Sequence, residues 1–439
     1  MAETQKHLPN EGHVTEVELY TSRIVAQMRP HITEFTALVY DYLAARITEL
    51  SRETALLELL RASIESNVET IFDALEQRLS PDHLRPPQAA FDYAKTLAQR
   101  GISVNALVRA YRLGQQRLLQ RVYEVVIADD ELPPQLVTAV FQFQVDEVSE
   151  YIDWISQKVA DHYEVERESW LANRATARET QVRRIIDGDD VDPSSAERIL
   201  GYGLSARHIG VIAWTPPGAD HTADQLGRFT AAIRALGQAL GTKQPVLIIG
   251  RDQNTAWGWI SVPDDWAFDS ALLAGFAGSA ATGVSGSLAA RHGSVQLAIG
   301  SAHPLTAGFR LSHQEAVRVQ QVSIAGSCDA PLVSHDQWGM SVVSLLAGDL
   351  EAARTWARSV LGPIAEDTEA NSRHRRTLRE FLRHDLSYTA TAAAMSMHKN
   401  SIRYRIEMAE AELGTTVSAD RLAIETALCA HHHLTPTEH

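Results

Sequence analysis

Lys399, Asn400, Ser401, Arg403, Tyr404 and Arg405 fall within about two helical turns, and each carries a hydrogen-bonding side chain. Asn can pair bidentately with adenine and Arg with guanine, Ser can bond a base or a phosphate, and Lys meets phosphate as a point charge. The chemistry open to such a set is recognition of nucleic acid. The surroundings carry the matching sign. From Arg373 to Arg405 there are eight Lys or Arg against two acids, Glu380 and Asp385, in a chain whose formal net charge is −15. A positive island of that kind attracts phosphate to one place.

For these side chains to act together they must share a helix face, and the apolar spacing provides one. Leu378, Phe381 and Leu382 make one stripe, Ala390, Ala393, Ala394 and Met397 a second, and Ile402, Ile406, Ala409 and Leu413 a third. Three short helices are predicted, with only Ser396 to His398 to turn between the second and third, the spacing of a helix-turn-helix. Opposite the third stripe lie Asn400, Ser401 and Tyr404, flanked by Arg403, in the turns that enter the major groove in this motif. Lys399 and Arg405 sit where they meet the phosphate backbone. Gly414 ends the helix as its C′ residue. A basic, solvated helical hairpin would show the same charge but does not require a shared polar face.

Thr389-Ala390, Met397-His398-Lys399-Asn400-Ser401 and Arg403-Tyr404-Arg405, followed by Leu413-Gly414 and Arg421-Leu422-Ala423-Ile424, resemble the C-terminal domain of PucR-type (CdaR-like) bacterial transcription regulators. Ser401 stands where that family more often has Thr, which keeps the hydroxyl, and Met395 where Leu is common. The resemblance implies double-stranded operator DNA as partner. It makes His398, Lys399, Asn400, Ser401, Arg403, Tyr404 and Arg405 the expected DNA-contacting set.

At 439 residues the chain is too long for one core. No span approaches the ~20 apolar residues that cross a bilayer, and the N-terminus MAETQKHLPNEGH has no signal-peptide core, so a cytoplasmic protein without a membrane partner is expected. Cys328 and Cys429 stand far apart without metal-ligand spacing, which predicts two small buried hydrophobes rather than a disulfide or zinc site. His431-His432-His433 cannot close one metal site, because adjacent residues of a helix point in different directions. They are expected to be a solvated chain end.

Helical patterns run from Val14 to Met28, Ile32 to Leu50, Ser51 to Leu79, Pro87 to Gln99 and Ser103 to Ala128, with Ser51 and Ser103 as N-caps and Pro30, Pro81, Pro86, Pro87 and Gly101 as breaks. A helical bundle follows. Around Ile102-Ser103-Val104 to Tyr111-Arg112 it resembles the sensor-like N-terminal domains of the RsbR group of stress-signalling proteins. His31 and His83 lie beside helix-breaking prolines, which favours surface or capping roles, and no haem is predicted. From Pro134 to Asp187 there is no Pro or Gly after Pro134, and Phe141, Val145, Val148, Ile152, Ile155 and Val159 repeat with heptad-like spacing. Two readings stand: a dimerising coiled coil within a long connecting helix, or a seam belonging to the bundle core.

From Gly188 the texture changes to an α/β alternation: a strand through Ile209 to Trp214, a helix from Asp224 to Leu240, strands Val246 to Gly250 and Ala256 to Val262, a helix around Phe268 to Ala280 and a strand near Thr282 to Ser285. That order, with Gly300-Ser301 and Gly308 to Ser312, Glu315 and Ala316, resembles the GGDEF-like middle domain of the same regulators. A diguanylate cyclase would need a Gly-Gly-acid-Glu-Phe turn, whereas the hairpin here reads Gly250-Arg251-Asp252-Gln253-Asn254-Thr255-Ala256. Two-metal phosphoryl chemistry has nothing to stand on there, and no P-loop, Gly-x-Ser-x-Gly or His-Glu-x-x-His occurs elsewhere. Gly283, Gly286, Gly293 and Gly300 read as dispersed turn residues.

The expected fold is multidomain and mainly α. A helical sensor-like bundle spans residues 1–133, a long connecting or dimerisation helix 134–187, a degenerate GGDEF-like α/β domain 188–330, a helical linker region 331–370 and a helix-turn-helix domain 371–439. The expected function is a signal-responsive, sequence-specific transcriptional regulator of metabolic genes, a homodimer or higher oligomer that answers an unidentified small-molecule effector. It has no catalytic residues and no cofactor. The rivals are a nucleotide-binding or nucleotide-signalling protein centred on the GGDEF-like domain and a stress-signalling scaffold.

Overall fold

The computed structural model describes residues 15–435 apart from 51–52, 78, 81–82, 217, 220–223, 270, 272–274, 276–294 and 329. The predicted cap Ser51, the strand near Thr282 to Ser285, Gly283, Gly286, Gly293 and most of the helix around Phe268 to Ala280 lie outside the described residues. The chain divides into two compact units, Met1–Ala175 and Thr176–His439.

The first unit contains α1 (Glu16–Met28), α2 (Ile32–Arg46), α3 (Thr54–Gln77), α4 (Gln88–Gln99), α5 (Val104–Ala128) and α6 (Val137–Asp187) as far as Ala175. Thr15 opens α1 with a capping box in which its hydroxyl accepts from Glu18 N–H while the Glu18 carboxylate accepts from Thr15 N–H. Ser103 caps α5 by accepting from Asn105 N–H. The heptad-like seam of α6 faces its own bundle: Val148, Ile155 and Val159 are fully buried there, and Phe141 and Ile152 pack against the same core. Of the two readings of that seam, the bundle core is the one found. Tyr163 donates its hydroxyl to the Ile102 carbonyl at 2.6 Å, and beyond it Val165, Trp170 and Leu171 are exposed. His31 and His83 are both exposed.

In the second unit, Val182 and Ile185 near the end of α6 join the core. A short helix, α7 (Pro193–Leu200), begins at the Asp192 cap and ends at Gly201, whose φ of 64° suits glycine. The sheet consists of β1 (Arg207–Trp214), β2 (Leu247–Gly250), β3 (Thr255–Val262), β4 (Gln296–Ile299), β5 (His303–Pro304) and β6 (Leu332–Ser334) in the order β2-β3-β1-β4-β6, with β5 paired to β1. All pairs are antiparallel except β4 with β6. Alternation along β1 sends Ile209, Val211 and Ala213 into the core shared with α8 (Gln225–Ala239), and Ile212 and Trp214 into the opposite core shared with α9 (Leu305–Ala325). Both faces are covered, so β1 reads as a continuous apolar run.

That second core does not stop at the sheet. It continues through α10 (Met340–Leu345) and α11 (Leu350–Leu361) into α12 (Glu369–Arg383), α13 (Tyr388–Ala394), α14 (Lys399–Leu413) and α15 (Arg421–Leu434). No helix among the described residues is long and apolar enough to cross a membrane.

Candidate nucleic-acid interface

The platform for the polar row of α14 begins with α12. Thr368 caps it by accepting from Asn371 N–H, and Leu378, Phe381 and Leu382 are buried, as their spacing predicts. Buried Asn371 donates to the carbonyls of Pro363 and Glu366, and buried Arg375 donates to those of Ile364 and Glu366 at 2.6 and 2.8 Å. One cation of the basic island therefore ties α12 to the turn before it. After α12 the chain reverses through Asp385 and Leu386, both at positive φ, and Ser387 caps α13 by accepting from Ala390 N–H.

In α13 the buried row differs from the predicted one. Thr391 and Ala392 are buried, with Tyr388 and Met395 packed beside them, whereas Ala393 and Ala394 are exposed and Ala390 is only half-buried. The Thr391 hydroxyl donates to the Ser387 carbonyl, so its burial leaves no polar group unpaired. Of the predicted stripe, Ala393 and Ala394 form outer surface instead, while Met397 packs against the core as expected.

Ser396 turns the chain at a φ of 52°, and His398 caps α14 by accepting from Asn400 N–H through Nδ1 at 3.2 Å. Ile402, Ile406 and Ala409 are wholly buried, and Gly414 closes the helix at a φ of 69°. With that face fixed inward, His398, Lys399, Asn400, Ser401, Arg403 and Tyr404 are exposed and Arg405 is half-buried. The Arg403 guanidinium lies 5.6 Å from the centre of the Tyr388 ring, within cation–π range. An open groove between α12 and α14 is lined by Arg373, His374, Asn400, Ser401, Tyr404 and Arg405 among others. The N-terminal half of α14 thus presents hydrogen-bonding groups on a rigid, solvent-facing surface.

The β2–β3 turn has a different chemistry. Asp252 uses Oδ1 to accept from Asn254 N–H at 2.8 Å, a local turn bond, and the Arg251 guanidinium lies over the Trp257 ring. Among the described residues no group of three or more His, Cys, Asp or Glu is placed to hold a metal ion.

The Gly-Ser and Ser-x-x-Glu residues have a packing role. A Cβ on Gly210 would lie 2.6 Å from His313 N, and one on Gly300 would lie 2.1 Å from the Ser312 carbonyl, so α9 can press onto β1 and the end of β4 only over glycines. Gly210 N–H donates to Ser312 Oγ at 2.7 Å, and Ser301 N–H donates to the Glu315 carboxylate at 2.9 Å. His303, His335 and Asp336, which no spacing or motif singled out, complete that cluster around Glu315 and Ser301. His313, sandwiched beside Trp257 and Trp259, is pushed down to about 4 by burial and by Arg251.

The triple-histidine tail departs from its expectation as a solvated end. His431 is buried with Nε2 on the Ala365 carbonyl, and His433 is half-buried with Nε2 on the Trp338 carbonyl. Only His432 is exposed. Burial lowers the pKa of His431 and His433, and each keeps one N–H to donate. Cys429 is buried, its thiol pushed up to about 12 by burial, while Cys328 is half-buried.

Three segments of the chain match known protein families. Residues 33–178 match the RsbT co-antagonist protein rsbRD N-terminal domain, 187–322 the GGDEF-like domain and 374–430 the PucR C-terminal helix-turn-helix domain. A Thermomonospora curvata protein described as an uncharacterized protein in the pkwA 5′ region is 38% identical over 91 residues, 20% of this chain and 51% of that protein. The chain thus spans about half the length of that curated relative. The crystal structure of a Regulator of Polyketide Synthase Expression from Bifidobacterium adolescentis aligns at 17% identity over 58% of this chain and 92% of that one, with a TM-score of 0.29, too low to carry an argument about shared architecture. Taken in order, the three matched segments are the domains expected of a PucR-type regulator: an RsbRD N-terminal domain, a GGDEF-like domain and a PucR C-terminal helix-turn-helix domain.

Proposed function

We propose that the protein is a signal-responsive transcriptional regulator that reads double-stranded DNA through the exposed face of α14 and controls metabolic genes. The observation that carries this reading is the exposure of Lys399, Asn400, Ser401, Arg403 and Tyr404 opposite the buried Ile402, Ile406 and Ala409. Asn400 and Arg403 would meet base edges, Lys399 and Arg405 phosphates, Ser401 and Tyr404 either. His398 would contribute through Nε2 alone, since Nδ1 caps the helix. A homodimer suits the reading of paired half-sites, although the Phe141–Val159 seam is occupied within its own bundle. The proposed domains are those given above, 1–133, 134–187, 188–330, 331–370 and 371–439.

The GGDEF-like domain is proposed to be catalytically silent. Asp252 is the lone carboxylate of its hairpin turn, and one of its oxygens is held by Asn254 N–H. Incubation with GTP and Mg²⁺ or Mn²⁺ should yield no cyclic dinucleotide above a control lacking protein. Gel-shift titration of the full chain against fragments of its source genome tests the DNA reading. A subset of fragments should shift at protein concentrations where bulk DNA does not, and the shift should weaken as salt rises. Uniform binding, or none at low salt, would overturn it.

A further inference from the structure

The helices of the first unit line a pocket of about 70 Å³ that DNA binding does not use. Phe35, Val39, Leu43, Leu60, Leu107 and Leu118 supply much of its wall, and no Asp, Glu, Lys, Arg or His lines it. Its polar lining is grouped around Asn67. The Tyr151 hydroxyl donates to Asn67 Oδ1 at 3.0 Å, and Asn67 Nδ2 donates to the Ser63 carbonyl at 2.7 Å and reaches the Tyr111 hydroxyl at 3.5 Å.

Two features of the wall lack a purely structural reason. Tyr93 is 1% exposed, and its hydroxyl has no hydrogen-bond partner among the described residues. A buried hydroxyl left unpaired is costly and uncommon. Gly114 lies inside α5, where glycine weakens a helix by about 1 kcal/mol relative to alanine. A Cβ there would meet nothing within 4 Å. No close approach demands the glycine, and its absent side chain leaves the pocket open.

We propose that this pocket binds a small, neutral, mainly apolar molecule carrying one hydroxyl or carbonyl, which takes up the free hydrogen bond of Tyr93. A charged ligand would find no counter-charge, and burying it unpaired is prohibitive. Burial raises the pKa of both Tyr93 and Tyr151, which keeps these phenols neutral. The volume is roughly half that of an engineered ~150 Å³ apolar cavity that admits benzene. A ring therefore enters partway, with its remainder at the mouth beside the half-buried Ile64, Gln115 and Ile152. The proposal does not rest on DNA recognition, and its test contains no DNA, so either can fail without the other.

The test is fluorine NMR of the full-length protein with three probes that differ in one substituent: para-fluorophenol, fluorobenzene and para-fluorobenzoate. The phenol should bind saturably with a Kd on the order of 1 mM or tighter, fluorobenzene several-fold more weakly, and the benzoate without saturation. Gly114→Leu, which fills the open side of α5, should abolish binding of the phenol. Tyr93→Phe should weaken the phenol by about 3- to 10-fold and leave fluorobenzene unchanged. It should melt no lower than the wild type, because the hydroxyl it removes is unpaired in the empty pocket. Absence of saturable phenol binding, equal binding of the benzoate, a folded Gly114→Leu protein that binds normally, or a Tyr93→Phe protein in which phenol and fluorobenzene change alike would each overturn the proposal. Should Gly114→Leu lose helix content by circular dichroism, the Tyr93→Phe comparison decides.

Discussion

Arg403 and Lys399 are both exposed cations on α14, yet their chemistry assigns them different work. Arg403 presents a planar fork steadied beside Tyr388, whereas Lys399 sits at the first turn with a flexible point charge. Arg403→Ala should cost about 1 to 3 kcal/mol on a cognate site and relax preference at one or two base pairs. Lys399→Ala should weaken cognate and random DNA alike and reduce the salt slope by about one. Fluorescence anisotropy across a salt series checks both; a uniform loss on Arg403→Ala would make that residue a phosphate clamp. His313 makes a second residue-level test, through acid. Its native pKa lies near 4, against 6.5 for the free group. Between those values the unfolded chain binds a proton that the native state refuses, so stability is complete above the unfolded pKa and declines as pH falls toward 4. At pH 5 this one imidazole should remove roughly 2 kcal/mol relative to pH 8. Chemical denaturation at the two pH values measures it, and a phenylalanine at the position should shrink the difference.

Among the elements, α12 shows that a basic island need not be one functional surface. Arg375 is buried on the carbonyls of Ile364 and Glu366, while its neighbour Arg376 is exposed. Arg375→Ala leaves the buried Ile364 carbonyl without its donor, removes one of the donors to Glu366, and should destabilise the second unit by about 2 to 4 kcal/mol. Arg376→Ala should stay within about 0.5 kcal/mol of the wild type. Thermal melts of the two variants separate the roles. The stripes of α12 and α14 were legible because bulky Leu, Phe and Ile at helical spacing can only face inward. The stripe of α13 was misread because alanine says little about burial, while Tyr388 and Thr391 look polar and hide the bond that lets Thr391 go inside. The α6 seam was legible as a seam, but a heptad pattern does not say whether another copy or the same chain covers it. His431 and His433 were beyond reading, since the carbonyls that hold them belong to residues 365 and 338. The seven candidate DNA-contacting residues followed from spacing and resemblance, whereas the unpaired Tyr93 hydroxyl and the space beside Gly114 exist only in three dimensions.

At the scale of the whole molecule, separate cores in the two units predict two calorimetric transitions rather than one. The lowered imidazoles of His208, His313, His431, His432 and His433 all belong to the second unit. Acidification from pH 8 to pH 5 should therefore lower the transition of that unit more than that of the first; equal shifts would show that other groups dominate. The continuity of the second core from the sheet to α15 also means that removing residues from Arg373 onward would strip apolar cover from α11, so point variants are the sounder probe of DNA binding. The most direct measurement is selection from a random double-stranded DNA library by the full-length protein, followed by binding of the enriched sequence to wild type and to an Asn400→Ala, Arg403→Ala double variant. If α14 reads the DNA, a discrete sequence will be enriched and bound by the wild type with steep salt dependence, and it will lose its advantage over random DNA in a double variant that melts as the wild type does. A library that emerges without sequence preference, or a double variant that still discriminates as the wild type does, would contradict the assignment of α14 as the reading helix.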